Sequence, residues 1–281
     1  MNKVSLTHPQ LYSLYSNGMR IDRKIIEEIL ELPRETLVND LEAIVKASID
    51  NYDYYKSQNL SLSKRSFPIH AFFILSELKS ESSLYTVLAF LSQSKDALEF
   101  WCGKYTKELL WEVVYNLGSN SLEFLKKYIL NGINNIETNR AILKAVSQIA
   151  VHQPRRRDEV IKWYKEIIYY IMQARYDDYH YPFALTGTVV SGILDFKGVE
   201  LCNEVRILYD MNKVNKLICG DMEDFTTELR TELQRDFKSR LYNIYERYEF
   251  ILNDREYYYK MEDLKELKED SKKKTNQHQK N

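Results

Sequence analysis

The stretch 149–164, IAVHQPRRRDEVIKWY, sets a histidine, a proline and three arginines inside an otherwise apolar region. A guanidinium meets a carboxylate or a phosphate through two parallel bonds, and the start of a helix attracts anions. Arg155, Arg156 and Arg157, just ahead of Asp158 and Glu159, therefore form either an anion-binding corner or a solvated basic one. Exposure at a helix corner favours the solvated reading. His152 fits a corner side chain bonded to backbone better than a base or a metal ligand. His70 and Glu77 stand seven residues apart and share one helix face over two turns. His70 reads most simply as a helix-start residue, partly buried and hydrogen-bonded. The functional alternative places His70, Glu77, Glu108, Trp111, His152, Arg155, Arg156 and Arg157 along one surface as a binding site. Cys102 follows Trp101 near a helix start, where a thiolate gains stability; a buried small hydrophobe is the better reading.

Other chemistry is missing from the pattern. There is no HExxH, no glycine-rich phosphate loop, no GxSxG and no dinucleotide fingerprint. Three isolated cysteines and five scattered histidines give no short-spaced ligand set for zinc. No cofactor and no metal are expected, and no residue is assigned a catalytic role. A binding protein is expected ahead of an enzyme.

Helices must position these residues. Gly (8) and Pro (5) are scarce over 281 residues, and no strand-like alternation persists. In 32–55, Pro33 suits the first helical position, and Leu37, Leu41, Ile44, Val45 and Ser48 line one face. From residue 67 a pattern recurs: an apolar helix, a short polar corner, then a second apolar helix. The corners fall at 79–82, 118–121, 152–157 and 197–198. The first helices end near Leu78, Leu117, Ile149 and Leu194, at spacings of 39, 32 and 45. Spacings near 40 belong to two-helix repeats, whose pairs bury their apolar faces only by stacking. The expected class is all-α, a HEAT-like α-solenoid of stacked antiparallel helix pairs in one domain over 1–252. Its repeats are placed at about 67–93, 104–131, 138–172 and 184–211, with cap helices at 20–56 and 222–252. Residues 253–281 are expected to be a charged tail, helical or disordered.

The pieces LPRETLVNDLEAIV (32–45), FPIHAFFILSEL (67–78), GKYTKELLWEVVYNLG (103–118) and IAVHQPRRRDEVIKWY (149–164) together resemble a bacterial family of unknown function with HEAT-like repeats. The resemblance spans most of 30–210 and implies the fold. It implies no activity. Relatives tend to carry Gly-Asp and then Thr-Glu in the third piece. Here Gly103 precedes Lys104, and Thr106 precedes Lys107, with Glu108 one place later. Some members end in a zinc-binding SEC-C-type motif; no cysteine follows Cys219 here.

Charge narrows the partners. Lys+Arg (40) and Asp+Glu (41) nearly cancel, so no global field holds nucleic acid or an anionic membrane. No apolar run approaches a membrane span, and MNKVSLTHPQLYSLYSNG lacks the apolar core of a signal peptide. A cytoplasmic protein is expected. Mostly acids surround the tyrosine clusters, which favours packing or protein contacts over base stacking; 174–182 is the most exposed of them. The leading expectation is a scaffold that binds a protein or peptide. The alternatives are a nucleic-acid binder resembling helical DNA-repair proteins and a metal-dependent hydrolase built on the histidines and glutamates.

Overall fold

The computed structural model describes residues 4–58, 60, 64–103, 106–131, 136–174, 183–231 and 238–253; of 106–109 and 183 it describes the backbone alone. The stretch 175–182 and the expected tail beyond 253 lie outside the described residues. Among the described residues every regular element is helical. In order these are α1 (Arg23–Leu30), α2 (Arg34–Asp50), α3 (Tyr52–Ser57), α4 (Phe67–Glu77), α5 (Leu84–Leu91), α6 (Lys95–Cys102) and α7 (Thr106–Gly118). Then come α8 (Leu122–Leu130), α9 (Ile136–His152), α10 (Arg157–Gln173), α11 (Phe183–Leu194), α12 (Cys202–Asp210), α13 (Lys216–Cys219) and α14 (Met222–Arg230). Residues 244–253 form α15.

The single helix expected over 32–55 is two, α2 and α3, broken at Asn51. Pro33 sits one place before the first helical residue. The predicted face survives: Leu37, Leu41, Ile44, Val45 and Ser48 are all buried, and Ser48 Oγ satisfies itself on the Val45 carbonyl at 2.6 Å. Cys102 ends α6 rather than starting a helix, and it is buried. The helix N-terminus on which a reactive Cys102 would depend is therefore absent there.

α4 is apolar on every side, so it must sit in the core; Phe67 through Ser76 are all buried. Contacts run in chain order through α2, α4, α7, α9, α11 and α13, and separately through α8, α10 and α12. Three helix ends share one device. Lys79, Lys197 and Asn212 take positive φ (49°, 49° and 53°). The next residue's N–H then reaches back to a carbonyl five residues earlier: Ser80 to Leu75, Gly198 to Ile193, Lys213 to Leu208. This reversal closes the carbonyls that a helix end leaves open. Two of the three fall at the predicted corners near 79 and 197.

Several side-chain bonds join residues about 40 positions apart. Asn116 Nδ2 donates to Ser76 Oγ, Gln153 Nε2 to Tyr115 Oη, and Trp163 Nε1 to the Leu122 carbonyl, at separations of 40, 38 and 41 residues. Arg157 continues the series, donating to the Phe196 and Lys197 carbonyls.

One such junction yields a sharp prediction. Tyr164 Oη donates to the Leu143 carbonyl at 2.9 Å and lies 2.7 Å from Ser147 Oγ, which reaches the Gly192 carbonyl at 2.8 Å. A Cβ at Gly192 would lie 2.5 Å from Tyr164 Oη. Gly192→Ala is expected to cost about 1–3 kcal/mol through overpacking. Adding Tyr164→Phe should return part of that loss, although alone it costs about 1 kcal/mol. Urea denaturation of the four-member cycle checks this; strict additivity would refute it.

Candidate functional site

Three helices turn polar groups to a common face. α4 contributes His70 and Glu77, α7 contributes Glu112, and α9 contributes Gln148 and His152. His70 and Glu77 stand seven residues apart and Gln148 and His152 four, spacings that bring each pair to one side of its helix. The face is not bare, because residues 238–253 of the same chain lie on it. The first six of these are not helical; α15 comes after them.

The turn into α15 is a capping box. Asn243 Oδ1 accepts from the Tyr245 and Glu246 amides, both at 3.0 Å, and Glu246 Oε2 accepts from the Asn243 amide at 3.0 Å. Main-chain bonds hold the non-helical part. The Ser239 amide donates to Gln148 Oε1 and His152 Nε2 donates to the Ser239 carbonyl, both at 2.9 Å. The Tyr242 amide donates to Glu112 Oε1 at 2.6 Å.

Side chains anchor the helical part. Arg247 is 1% exposed, and Glu112 likewise. Arg247 Nε donates to Glu112 Oε2 at 3.1 Å, Nη2 to Glu112 Oε1 at 3.3 Å, and Nη2 also to the Tyr242 carbonyl at 2.8 Å. Glu77 stands 3.9 Å from the same guanidinium. Tyr248 Oη and His70 Nδ1 share a bond of 2.7 Å, with the Tyr248 ring edge-on to Phe73. Burial pushes the Tyr248 phenol up, so it stays neutral. Burial also pushes the Glu112 carboxyl above its ordinary range, against the pull of Arg247.

The sequence-predicted residues divide. His70, Glu77 and His152 meet on this face. His70 is fully buried rather than partly so, because Tyr248 covers it. His152 does bond to backbone, at a residue 87 positions away. Glu108 lies in α7, four residues before Glu112, and its side chain lies outside the described residues. Trp111 is nearly buried and lines a cavity beside the 238–253 segment. The arginines belong elsewhere. Arg155 is exposed. Arg156 forks onto Glu159 at 2.7 and 3.1 Å, and Arg157 onto Glu200 at 2.8 Å through two nitrogens. The chain itself supplies the carboxylates that these two arginines meet, in pairs that stay partly exposed. Gln148, Glu112, Arg247 and Tyr248 were not foreseen. Of the segment's features only the Asn243–Glu246 box has a local sequence signature, and it too was not singled out.

A pH prediction arises at His152. Burial pushes its imidazole below the ordinary range, Lys238 adds to this, and the Ser239 carbonyl opposes it. A depressed folded pKa means the fold prefers the neutral ring. That preference stabilises above the unfolded value of about 6.5 and is lost as pH falls through the folded one. The stability of the wild type relative to His152→Gln should therefore decline between about pH 7 and pH 5. Parallel urea profiles for the two proteins would refute it.

A family model described as "Protein of unknown function (DUF1186)" matches residues 10–264. The chain belongs to this family. The family's matched span takes in α4, α7 and α9 together with the 238–253 segment that lies on them. Its unassigned function agrees with the resemblance read from the four sequence pieces. No curated protein and no solved structure matches the chain. No described helix is long and apolar enough to cross a membrane. Among the described residues no three His, Cys, Asp or Glu side chains gather as metal ligands.

Proposed function

We propose that the chain is a non-catalytic helical-repeat scaffold, a HEAT-like solenoid of stacked antiparallel helix pairs, that grips a polypeptide along the α4, α7 and α9 face. Support for the repeat comes from side-chain bonds at 38, 40 and 41 residues of separation, close to the length of one helix pair. The observation that carries the binding reading is the grip on Ser239: Gln148 and His152 hold its amide and its carbonyl. Such bonds recognise an extended backbone whatever its side chains. His70, Glu77 and Glu112 add selectivity for an arginine and an aromatic on the helix that continues from it. A nucleic-acid reading called for a Lys/Arg stripe here; the acids Glu77 and Glu112 weigh against it.

The test opens the connection without removing anything. A protease site placed within 232–237 allows the purified chain to be nicked. The segment should remain bound and exchange with a labelled synthetic peptide of residues 238–253. A peptide with Arg247→Ala should compete roughly 30-fold more weakly or worse, because it strands a buried Glu112. A nicked chain that stays folded yet never exchanges the segment would make this face ordinary core.

A further inference from the structure

The 238–253 segment leaves part of its face open. Between it and α7, α9 and α11 lies a cavity of about 590 Å³, a size typical of small-ligand sites. α9 lines it with Arg140 and Lys144, one turn apart, and the segment adds Arg240. Its apolar wall is Trp111 from α7 with Tyr242 and Phe250 from the segment, the last two rings 5.4 Å apart. We propose that this cavity binds a low-molecular-weight organic anion, an aromatic ring system carrying a carboxylate or a phosphate.

Donors that the paired cations keep open, rather than net charge, set the sign of the ligand. Among the described residues the wall holds three cations against two acids, Glu137 and Asp195. Each cation has one carboxylate partner: Arg140 with Glu137 at 3.0 Å, Lys144 with Asp195 at 3.3 Å, Arg240 with Glu246 at 2.5 Å. Arg140 reaches Glu137 through Nη1, one nitrogen of a five-donor fork, and Lys144 keeps ammonium donors to spare. Their side chains remain 38% and 29% exposed, so an entering anion meets donors still open to solvent. The rings supply the rest, because planar walls favour a planar body by stacking and edge contact. The site concerns a different occupant from the peptide, and it stands even if the segment never exchanges. Because the segment forms one wall, a bound anion also stabilises the segment's docking, and the docked segment the anion.

The test uses the intact full chain. Titration with 8-anilinonaphthalene-1-sulfonate, a fluorescent aromatic anion, should show one saturable site while the native melting transition is retained. Uncharged N-phenyl-1-naphthylamine should bind far more weakly. Arg140→Gln and Lys144→Ala should each weaken the anionic probe about tenfold or more, the worth of a charge-assisted bond. Arg155→Gln removes the same charge from an exposed corner and should change nothing. Displacement by phenyl phosphate but not benzoate assigns a phosphate head; the converse assigns a carboxylate. Equal binding of the neutral probe, indifference to both cavity variants, or displacement by neither competitor overturns the proposal. If Lys144→Ala fails to fold through loss of Asp195, Arg140→Gln and the charge-preserving Arg140→Lys, which should retain binding, still decide it.

Discussion

Arg247→Ala is expected to cost about 3–5 kcal/mol, because it strands Glu112 as a buried, unpaired charge. Both side chains are 1% exposed, and the pair is closed by two hydrogen bonds. The same guanidinium also satisfies the Tyr242 carbonyl at 2.8 Å. Truncation removes all of these together. For a chain of this length the loss should lower Tm by on the order of 10 °C. The ionised pair is itself held at a cost, since burial raises the Glu112 carboxyl even beside Arg247. The double variant Glu112→Leu with Arg247→Met should therefore recover most of the stability lost in Arg247→Ala. Calorimetry and urea melts of the single and double variants decide this. A single-variant loss under about 1 kcal/mol would mean that water reaches Glu112 and the pair is not closed.

The second large effect belongs to Lys213. It is 4% exposed, yet its ammonium is fully engaged. Nζ donates to the Ile171 carbonyl at 2.9 Å, to the Met172 carbonyl at 2.8 Å and to the Ala174 carbonyl. These carbonyls close α10, where a helix leaves acceptors open and presents its negative end. The positive φ of Asn212 turns the chain so that Lys213 reaches back across 42 residues to Ile171. Lys213→Met keeps the length and apolar stem but removes every donor. It should cost about 2–4 kcal/mol, from several charge-assisted bonds and the dipole together. Lys162→Met, on α10 itself, is the control. Its side chain is 80% exposed, 3.9 Å from Glu166, and its loss should stay within about 0.5 kcal/mol. Equal effects of the two lysines would refute the capping account.

Much of the helical plan was legible because it is local. The apolar run 67–76 is buried on all sides, and the corners near 79 and 197 carry the helix-ending reversals. The break of 32–55 at Asn51 was hidden, since Tyr52, Asp53 and Tyr55 continue a plausible helix. The face was legible only by halves. His70 and His152 drew notice by residue type. What each touches lies 178 and 87 residues away, and no periodicity records such distances. Arg247 and Glu112 were the hardest to see. In YERYEF and LLWEVVY a charged residue beside aromatics reads as a solvated edge, and only a partner 135 residues away makes it core. Arg157 shows the converse. Its run of three arginines read first as a solvated corner and second as a site for an outside anion, and neither reading pointed to Glu200, 43 residues on.

The same separation imposes an order on biosynthesis. Glu112 leaves the ribosome 135 residues before the arginine that neutralises it. At cellular translation speeds of about 5–20 residues per second, that interval is on the order of 10 s. For that time the nascent helices carry an uncompensated carboxylate on the side where Arg247 will later arrive. A newly made polypeptide thus presents a vacant, acid-marked face until its own later residues emerge to close it.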